Sequence, residues 1–344
     1  MPVKSVTWKC PSNIALVKYW GKKGKQLPAN ASISFTLNQC HTITTLSYKE
    51  KEKDDTLLLS FAFDGKPMPS FEPKLETFFT NVEHLFPFLT GYLIEINTTN
   101  TFPHSSGIAS SASGMAALAL CLCSMEKELG TVFTDEVFFQ KASEVARLGS
   151  GSACRSVYGP MALWGQHTSI HNSSDTFAVP YTEIHPIFKD FCDTILIVDE
   201  GSKSISSTVG HALLDTHPFA QTRFALANQN LTVLLNALKS GDLETFKKIT
   251  ENEAMMLHAL MMSSDPAYIL MKPNTLQIIH SVWENRNTLG LNMIITLDAG
   301  ANVHLLYPNN EKEKVRDFIN NQLKKYCKDG MMIHDSVGAG PEQM

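Results

Sequence analysis

Four short segments of the chain carry residues able to do chemistry. An apolar run, Asn13-Ile14-Ala15-Leu16-Val17, delivers Lys18, Tyr19, Lys22 and Lys23 at its end. Lysines and a phenol gathered at one strand end suit a highly charged anion such as a diphosphate, although a solvated strand terminus would look the same. The second segment, from Pro103 to Gly114, holds Ser105, Ser106, Gly107, Ser110, Ser111 and Ser113 directly before an apolar helix pattern. Small residues expose backbone N–H groups, hydroxyls donate, and a helix start contributes positive potential, the arrangement a triphosphate needs. Close helix packing would use the same residues, and the GxxxxGK[ST] spacing of a P-loop is absent. The third segment, Gly149-Ser150-Gly151-Ser152-Ala153-Cys154-Arg155-Ser156, sets one arginine among glycines and hydroxyls, and a guanidinium can grip a carboxylate with two parallel hydrogen bonds. In the fourth, Leu297-Asp298-Ala299-Gly300, an aspartate ends an apolar strand just before a glycine, as a turn cap or as a catalytic group.

The elements that must position these segments are mixed. Strand-like runs occupy Val3–Lys9, Ser32–Leu37, Thr42–Tyr48, Leu57–Phe63 and Tyr92–Asn97, with a hairpin turn at Asp64-Gly65. Helical patterns run over Met115–Leu129, from Thr134 to Leu148, and over Pro218–Lys239, Leu243–Met262 and Thr275–Leu289. Short strands are expected at Asp193–Asp199, Asn292–Leu297 and Val303–Tyr307, and a charged surface helix at Glu311–Tyr326. Without a regular βαβ period the fold class reads as α+β. A length of 344 residues exceeds the roughly 250 to 300 at which one core usually divides, so two lobes are expected, 1–185 and 186–344. Met255, Met256, Met261 and Met262 read as core packing at helical spacing, or as a flexible cleft wall.

Composition narrows the function classes. Lys and Arg number 29 against 34 Asp and Glu, a net charge of −5 with no dense basic block, which argues against a nucleic-acid partner. The longest apolar stretch, Gly114–Cys123, falls short of the ~20 residues of a membrane-spanning helix, and no signal-peptide pattern opens the chain, so a cytoplasmic protein is expected. The 7 cysteines form no CxxC pair and are odd in number, which suits free thiols in a reducing compartment. The 12 histidines include no HExxH, so no protein-held metal site is expected.

Taken together, NIALVKYWGKK, LPANASISFTL, FPHSSGIASSASG, GSGSACRS, KSISSTVG and LDAGANV resemble, in order and over nearly the whole chain, the mevalonate diphosphate decarboxylase family of the GHMP kinase superfamily. That resemblance implies a two-lobed α+β GHMP kinase fold, an N-terminal lobe like ribosomal protein S5 domain 2 beside an α/β-sandwich lobe. It further implies ATP, with Mg²⁺ bound mainly through it, mevalonate 5-diphosphate in a cleft between lobes, and commonly a homodimer. The implied reaction phosphorylates the C3 hydroxyl and then expels phosphate and carbon dioxide to leave isopentenyl diphosphate. Carried over residue by residue, Asp298 meets the C3 hydroxyl, Lys18 neutralises developing charge and Arg155 holds the carboxylate. Tyr19, Lys22, Ser207 and Thr208 bind the 5-diphosphate, Ser152 supports the Arg155 segment, and Asn13 positions substrate or Arg155. Ser106, Gly107, Ser110, Ser111 and Ser113 hold ATP phosphates. No short motif marks the adenine contacts; the stretch Asn97–Asn100 before the serine loop is expected to form one wall.

Departures from the family pattern are His104-Ser105-Ser106 for a usual Thr-Ala-Ala, Ala301 for a proline, and His211 for a methionine near the diphosphate end. A tolerated surface change and an altered contact with the substrate tail are both open readings of His211. Decarboxylation of mevalonate 5-phosphate, a mevalonate 3-kinase without elimination, and a silent ligand-binding homologue are the competing functions. The terminal Val337–Pro341 stretch is expected to fold back on the core.

Overall fold

The computed structural model describes residues 2–52, 59–103, 108–201 and 205–344. β1 (Lys4–Val17) alternates buried and half-exposed residues in its first part and is wholly buried from Cys10 onward, so a single strand serves two environments. A small hairpin, β2 (Lys22–Lys23) with β3 (Leu27–Pro28), leads to β4 (Ser32–Glu50), which pairs antiparallel along β1. The two strands expected within residues 32 to 48 are therefore one. Its irregular middle is held by Asp335, whose carboxylate accepts from the amides of Asn38, Gln39 and Cys40 at 2.8, 2.7 and 2.8 Å.

β5 (Leu59–Phe63) and β6 (Lys66–Pro67) form the hairpin signalled by Asp64-Gly65, whose φ angles of 50° and 71° match the positive values such a turn requires. α1 (Glu72–Val82), absent from the sequence reading, buries Leu75, Phe78 and Val82 and leads to β7 (Tyr92–Asn100). α2 (Ser110–Glu128) begins at Ser110 rather than Met115, because small residues let the helix start while pressed against the sheet. It is buried around its whole circumference, as expected for a helix enclosed on every side. α3 (Asp135–Gly149) starts where Thr134 accepts from the Val137 amide, the cap its sequence promises. β8 (Met161–Trp164) and β9 (Ala178–Pro180) complete the larger sheet: β7 pairs the second part of β4 and β8 its first part.

The rest of the chain builds β10 (Cys192–Leu196), α4 (Ser207–Ala212), α5 (Ala220–Ser240), α6 (Leu243–Met262), α7 (Pro273–Leu289), β11 (Ile294–Thr296), β12 (Val303–Tyr307), α8 (Lys312–Phe318), β13 (Met332–Ser336) and β14 (Glu342–Gln343). The second sheet is antiparallel in the order β11-β12-β10-β13. The expected long surface helix stops at Phe318; a π turn and a 3₁₀ turn follow, burying Ile319 and Leu323. Mostly antiparallel sheets with separately placed helices make the fold α+β.

One core packs α2 and α3 on the first part of β1 and the outer strands. A second spans the seam, joining Ile14, Ile33 and Phe35 to Ile195, Leu231, Phe246 and Ile294, so both sheets share buried side chains. The chain end crosses that seam, with β13 in the second sheet and β14 on the edge of β1. Hydrogen bonds to a charged acceptor contribute about 1.5–3 kcal/mol each and add incompletely. Asp335→Ala is therefore expected to lower unfolding free energy by about 2–4 kcal/mol in urea titration; an unchanged midpoint would remove Asp335 as the clasp between the tail and β4.

Candidate active site

The end of β1, the 149–155 turn, α4 and the segment after β11 enclose a cavity of about 340 Å³. Asn13, Lys18, Tyr19, Lys22, Ser152, Arg155, Ser207, Thr208 and Asp298 all line it. Irregular pairing between Pro11 and Asn13 and between Ala15 and Val17 lets the end of β1 twist away from strict alternation.

Lys18 is 1% exposed. Its Nζ donates to the Ala15 carbonyl at 2.6 Å and to Asp298 Oδ1 at 3.1 Å. Burial pulls its pKa down and the Asp298 charge pushes it back up. The Lys18 amide donates to Glu253 Oε2 at 2.9 Å, and Arg223 grips Glu253 through both terminal nitrogens at 3.1 and 2.6 Å. Asn230 donates to the same carboxylate at 2.7 Å. The Asp298 main chain is fixed as well, its carbonyl accepting from His258 Nε2 at 3.1 Å and from the Gly300 amide at 2.7 Å.

Arg155 is 2% exposed, and its described hydrogen-bond partners are neutral oxygens. Nε donates to Ser34 Oγ at 2.9 Å, Nη1 to Ser32 Oγ at 2.6 Å and Nη2 to Asn13 Oδ1 at 3.4 Å. Asn13 in turn donates to Ser156 Oγ at 2.8 Å and to the Ser152 carbonyl at 3.3 Å. A guanidinium oriented this firmly by neutral groups at a cavity wall favours an incoming carboxylate, which supplies the missing countercharge.

At the α4 side the cavity gathers Tyr19, Lys22, Ser207 and Thr208. Burial raises the Tyr19 phenol above its ordinary pKa and lowers that of Lys22. The hairpin bearing Lys22 is tied down by Arg147, which donates to the carbonyls of Lys25, Gln26 and Thr176 at 3.1, 3.2 and 2.7 Å. Lys23 does not join the cluster: it pairs with Asp175 at 2.8 Å, because alternation along the strand sends it to the opposite side. His211 also lines this wall and is 6% exposed, which excludes the surface reading. Burial holds its pKa down to about 3, with the Lys22 charge acting in the same direction.

A second cavity of about 210 Å³ lies between α1, α2 and the β5–β7 strands, walled by Phe61, Phe63, Phe71, Ile96, Thr98, Asn100, Ser110 and Met115. Lys74 and Ser111 line both cavities. Lys74 escaped the sequence reading because it stands alone in a charged, motif-free stretch, and Glu253, Arg223 and His258 because nothing local marks them. Ser113 is not at either wall: it is buried, its hydroxyl 2.6 Å from that of Thr42, since its position on α2 turns it toward the sheet. Ser106 and Gly107 lie outside the described residues. The α6 methionines line neither cavity; Leu257 forms that part of the first wall. Among the described residues no cluster of three or more His, Cys, Asp or Glu could hold a metal, and no helix is long and apolar enough to cross a membrane.

The buried imidazole has a measurable pH signature. Unfolded, His211 titrates near 6.5, whereas the fold holds it near 3, so the unfolded chain binds the proton first as pH falls. Its contribution to stability is present above pH ~6.5 and is lost at up to about 1.4 kcal/mol per pH unit below that. Unfolding titrations between about pH 6.5 and 4.5 should give His211→Asn a shallower pH slope than wild type, by about one proton; parallel slopes would contradict a neutral buried ring.

Comparison with known proteins bears on this site. Residues 10–178 match the model of the diphosphomevalonate decarboxylase-like N-terminal domain, and residues 194–343 that of the mevalonate 5-diphosphate decarboxylase C-terminal domain. Diphosphomevalonate decarboxylase of Ganoderma lucidum is 31% identical, over 98% of this chain and 86% of the relative. The Candida albicans enzyme is also 31% identical, over 90% of this chain and 86% of its own. Among solved structures, mevalonate diphosphate decarboxylase from Staphylococcus aureus superposes with a TM-score of 0.86 at 26% identity, covering 100% of this chain and 98% of that one. MDDEF in complex with MVAPP, AMPPCP and magnesium gives 0.84 at 26% identity, covering 100% and 99%. With matches along both sheets and every site segment inside them, the chain belongs to the mevalonate diphosphate decarboxylase family and has its two-lobed GHMP kinase fold.

Proposed function

We propose that this chain catalyses the ATP-dependent decarboxylation of mevalonate 5-diphosphate to isopentenyl diphosphate, ADP, phosphate and carbon dioxide. The observation that carries the reading is the convergence of the Lys18–Asp298 pair, the neutral-partnered Arg155 and the Tyr19–Lys22–Ser207 group on one cavity. A substrate with a carboxylate, a tertiary hydroxyl and a diphosphate has one charged end for each charged wall. The names of the family relatives favour this over the monophosphate, kinase-only and binding-only alternatives.

In this reading Arg155 holds the substrate carboxylate while Asp298 orients the C3 hydroxyl and accepts its proton as the oxygen attacks the γ-phosphorus of ATP. Lys18, supplying positive charge that water cannot screen, stabilises Asp298 as an anion and the negative charge that gathers at the transferring group. ADP leaves. The C3–O bond then breaks with loss of phosphate, the C1–C2 pair forms the C2–C3 double bond, and carbon dioxide departs. Orientation by Arg155 matters here, because C1–C2 and C3–O must be aligned for both bonds to break together.

The second cavity, apolar with Thr98 and Asn100 at its edge, suits the adenine base, and Ser111 and Lys74 between the cavities suit the triphosphate. The Ser110 and Ser111 hydroxyls fit a magnesium ion that draws most of its oxygen ligands from phosphate and water. When bound it neutralises phosphate charge. Its presence with AMPPCP in the MDDEF complex supports that assignment. The lobe boundary near residue 185, falling between the two matched domain models, belongs to the same proposal, as do a homodimer and a cytoplasmic setting. The free, buried state of all seven cysteines supports a reducing compartment.

Purified protein given ATP, Mg²⁺ and mevalonate 5-diphosphate should release ADP and carbon dioxide in equal amounts; ADP without carbon dioxide would reduce the activity to a kinase. Asp298→Asn should lower kcat by about 10³-fold or more while nucleotide affinity stays within about two-fold, the loss typical of a group used in the transition state. An active Asp298→Asn enzyme would remove that carboxylate from the mechanism.

A further inference from the structure

His211 is a titratable cavity residue whose chemistry the reaction above leaves unused. It lies one helical turn after Ser207 and Thr208, so spacings of four and three residues put all three side chains on one face of α4. The imidazole packs against two tilted aromatic rings, with centroids 4.5 Å from Tyr19 and 4.4 Å from Trp20. Close approach is possible because Gly210 precedes it: a Cβ there would stand 2.6 Å from Trp20 and 2.7 Å from the Tyr268 hydroxyl.

The ring's protonation follows from its partner. Gly21, held at φ +102° on the loop between Trp20 and Lys22, donates its amide to His211 Nδ1 at 2.9 Å. A backbone N–H only donates, so Nδ1 must be the unprotonated nitrogen and the single proton sits on Nε2. Burial keeps the ring neutral and the nearby Lys22 charge acts in the same direction; protonating Nδ1 would in addition set two N–H groups against each other. Among the described residues Nε2 has no hydrogen-bond partner, although the residue is buried and lines the cavity.

We infer that His211 is a substrate-positioning and specificity-determining residue, whose Nε2–H, fixed by the Gly21 amide and the Tyr19 and Trp20 ring contacts, donates to a phosphoryl oxygen of the substrate's phosphorylated tail. The inference rests on the assignment of the Tyr19–Lys22–Ser207 wall to that tail. Unlike Lys22, the imidazole contributes direction without adding charge: a donor at one fixed point rewards a phosphoryl oxygen placed there and offers nothing to an uncharged group lacking an acceptor.

Two variants separate this role from mere packing. Asn places its acceptor near Nδ1 and can keep the Gly21 contact while losing the Nε2 donor; Gln reaches the Nε2 position with an amide donor and loses the Nδ1 contact. His211→Asn should raise KM for mevalonate 5-diphosphate about ten-fold or more, leave KM for ATP within about two-fold and hold kcat within about three-fold, the size of one hydrogen bond to a charged acceptor. His211→Gln should stay within about three-fold of wild type in both constants. Calorimetric titration with inorganic pyrophosphate supplies a readout independent of turnover, with Kd weakened about ten-fold by Asn and nearly kept by Gln. If Gln is as damaging as Asn, or Asn is harmless in both assays, the donor role is overturned. If wild type turns nothing over yet the pyrophosphate shifts appear, the proposed reaction fails and the His211 assignment stands.

Discussion

The buried Lys18 ammonium is the constraint around which the site is arranged. A cation removed from water is costly unless oxygen atoms replace its hydration, and here the Ala15 carbonyl and the Asp298 carboxylate do so. Ala15 belongs to the strand that Lys18 directly follows, whereas Asp298 arrives from the segment after β11. Satisfying one lysine therefore pulls the end of the large sheet against the end of the small one. Glu253 makes the arrangement rigid from behind: lying on α6, it receives the Lys18 amide and the whole fork of Arg223 from α5, so two helices of the second half hold the backbone from which Lys18 extends. The seam core of Ile14, Phe35, Leu231 and Phe246 packs the same two sheets together.

Given this anchor, the cavity acquires a polarity along its length. Arg155 is held by hydroxyls and an amide rather than by a carboxylate, so its charge is oriented without being neutralised. Lys18 is paired with the Asp298 carboxylate. Lys22, on a hairpin secured by Arg147, lines the cavity with no carboxylate partner among the described residues. Three of the four cations lining this cavity are thus placed in three electrostatic states, and a net charge of −5 for the whole chain is no obstacle to binding two highly phosphorylated compounds.

Much of this was legible from residue order. Lys18, Arg155 and Asp298 each end or follow a segment whose composition is peculiar: an apolar strand that turns basic, a Gly-Ser run around one arginine, an aspartate before a glycine. Local patterning also placed α6 and β12 at their observed bounds. What sequence could not show was long-range satisfaction. Glu253, Arg223 and His258 look like ordinary helix residues, and only the tertiary fold reveals that they serve positions more than 200 and about 40 residues away. The continuity of β4 depends on Asp335, nearly 300 residues further along, and the inward turn of Ser113 depends on which face of α2 meets the sheet. His211 was visible as an odd residue, but its neutrality follows from burial and its tautomer from one backbone amide.

The central claim is that one substrate spans this cavity with its carboxylate on Arg155 and its C3 hydroxyl at Asp298. A crystal structure of the chain with mevalonate 5-diphosphate and a non-hydrolysable ATP analogue tests it directly. The account predicts the C3 hydroxyl within roughly 3 to 3.5 Å of both an Asp298 carboxylate oxygen and the γ-phosphorus, with the C1 carboxylate on the Arg155 guanidinium. A substrate bound the other way round, with its diphosphate on Arg155 or its hydroxyl out of reach of Asp298, would contradict it.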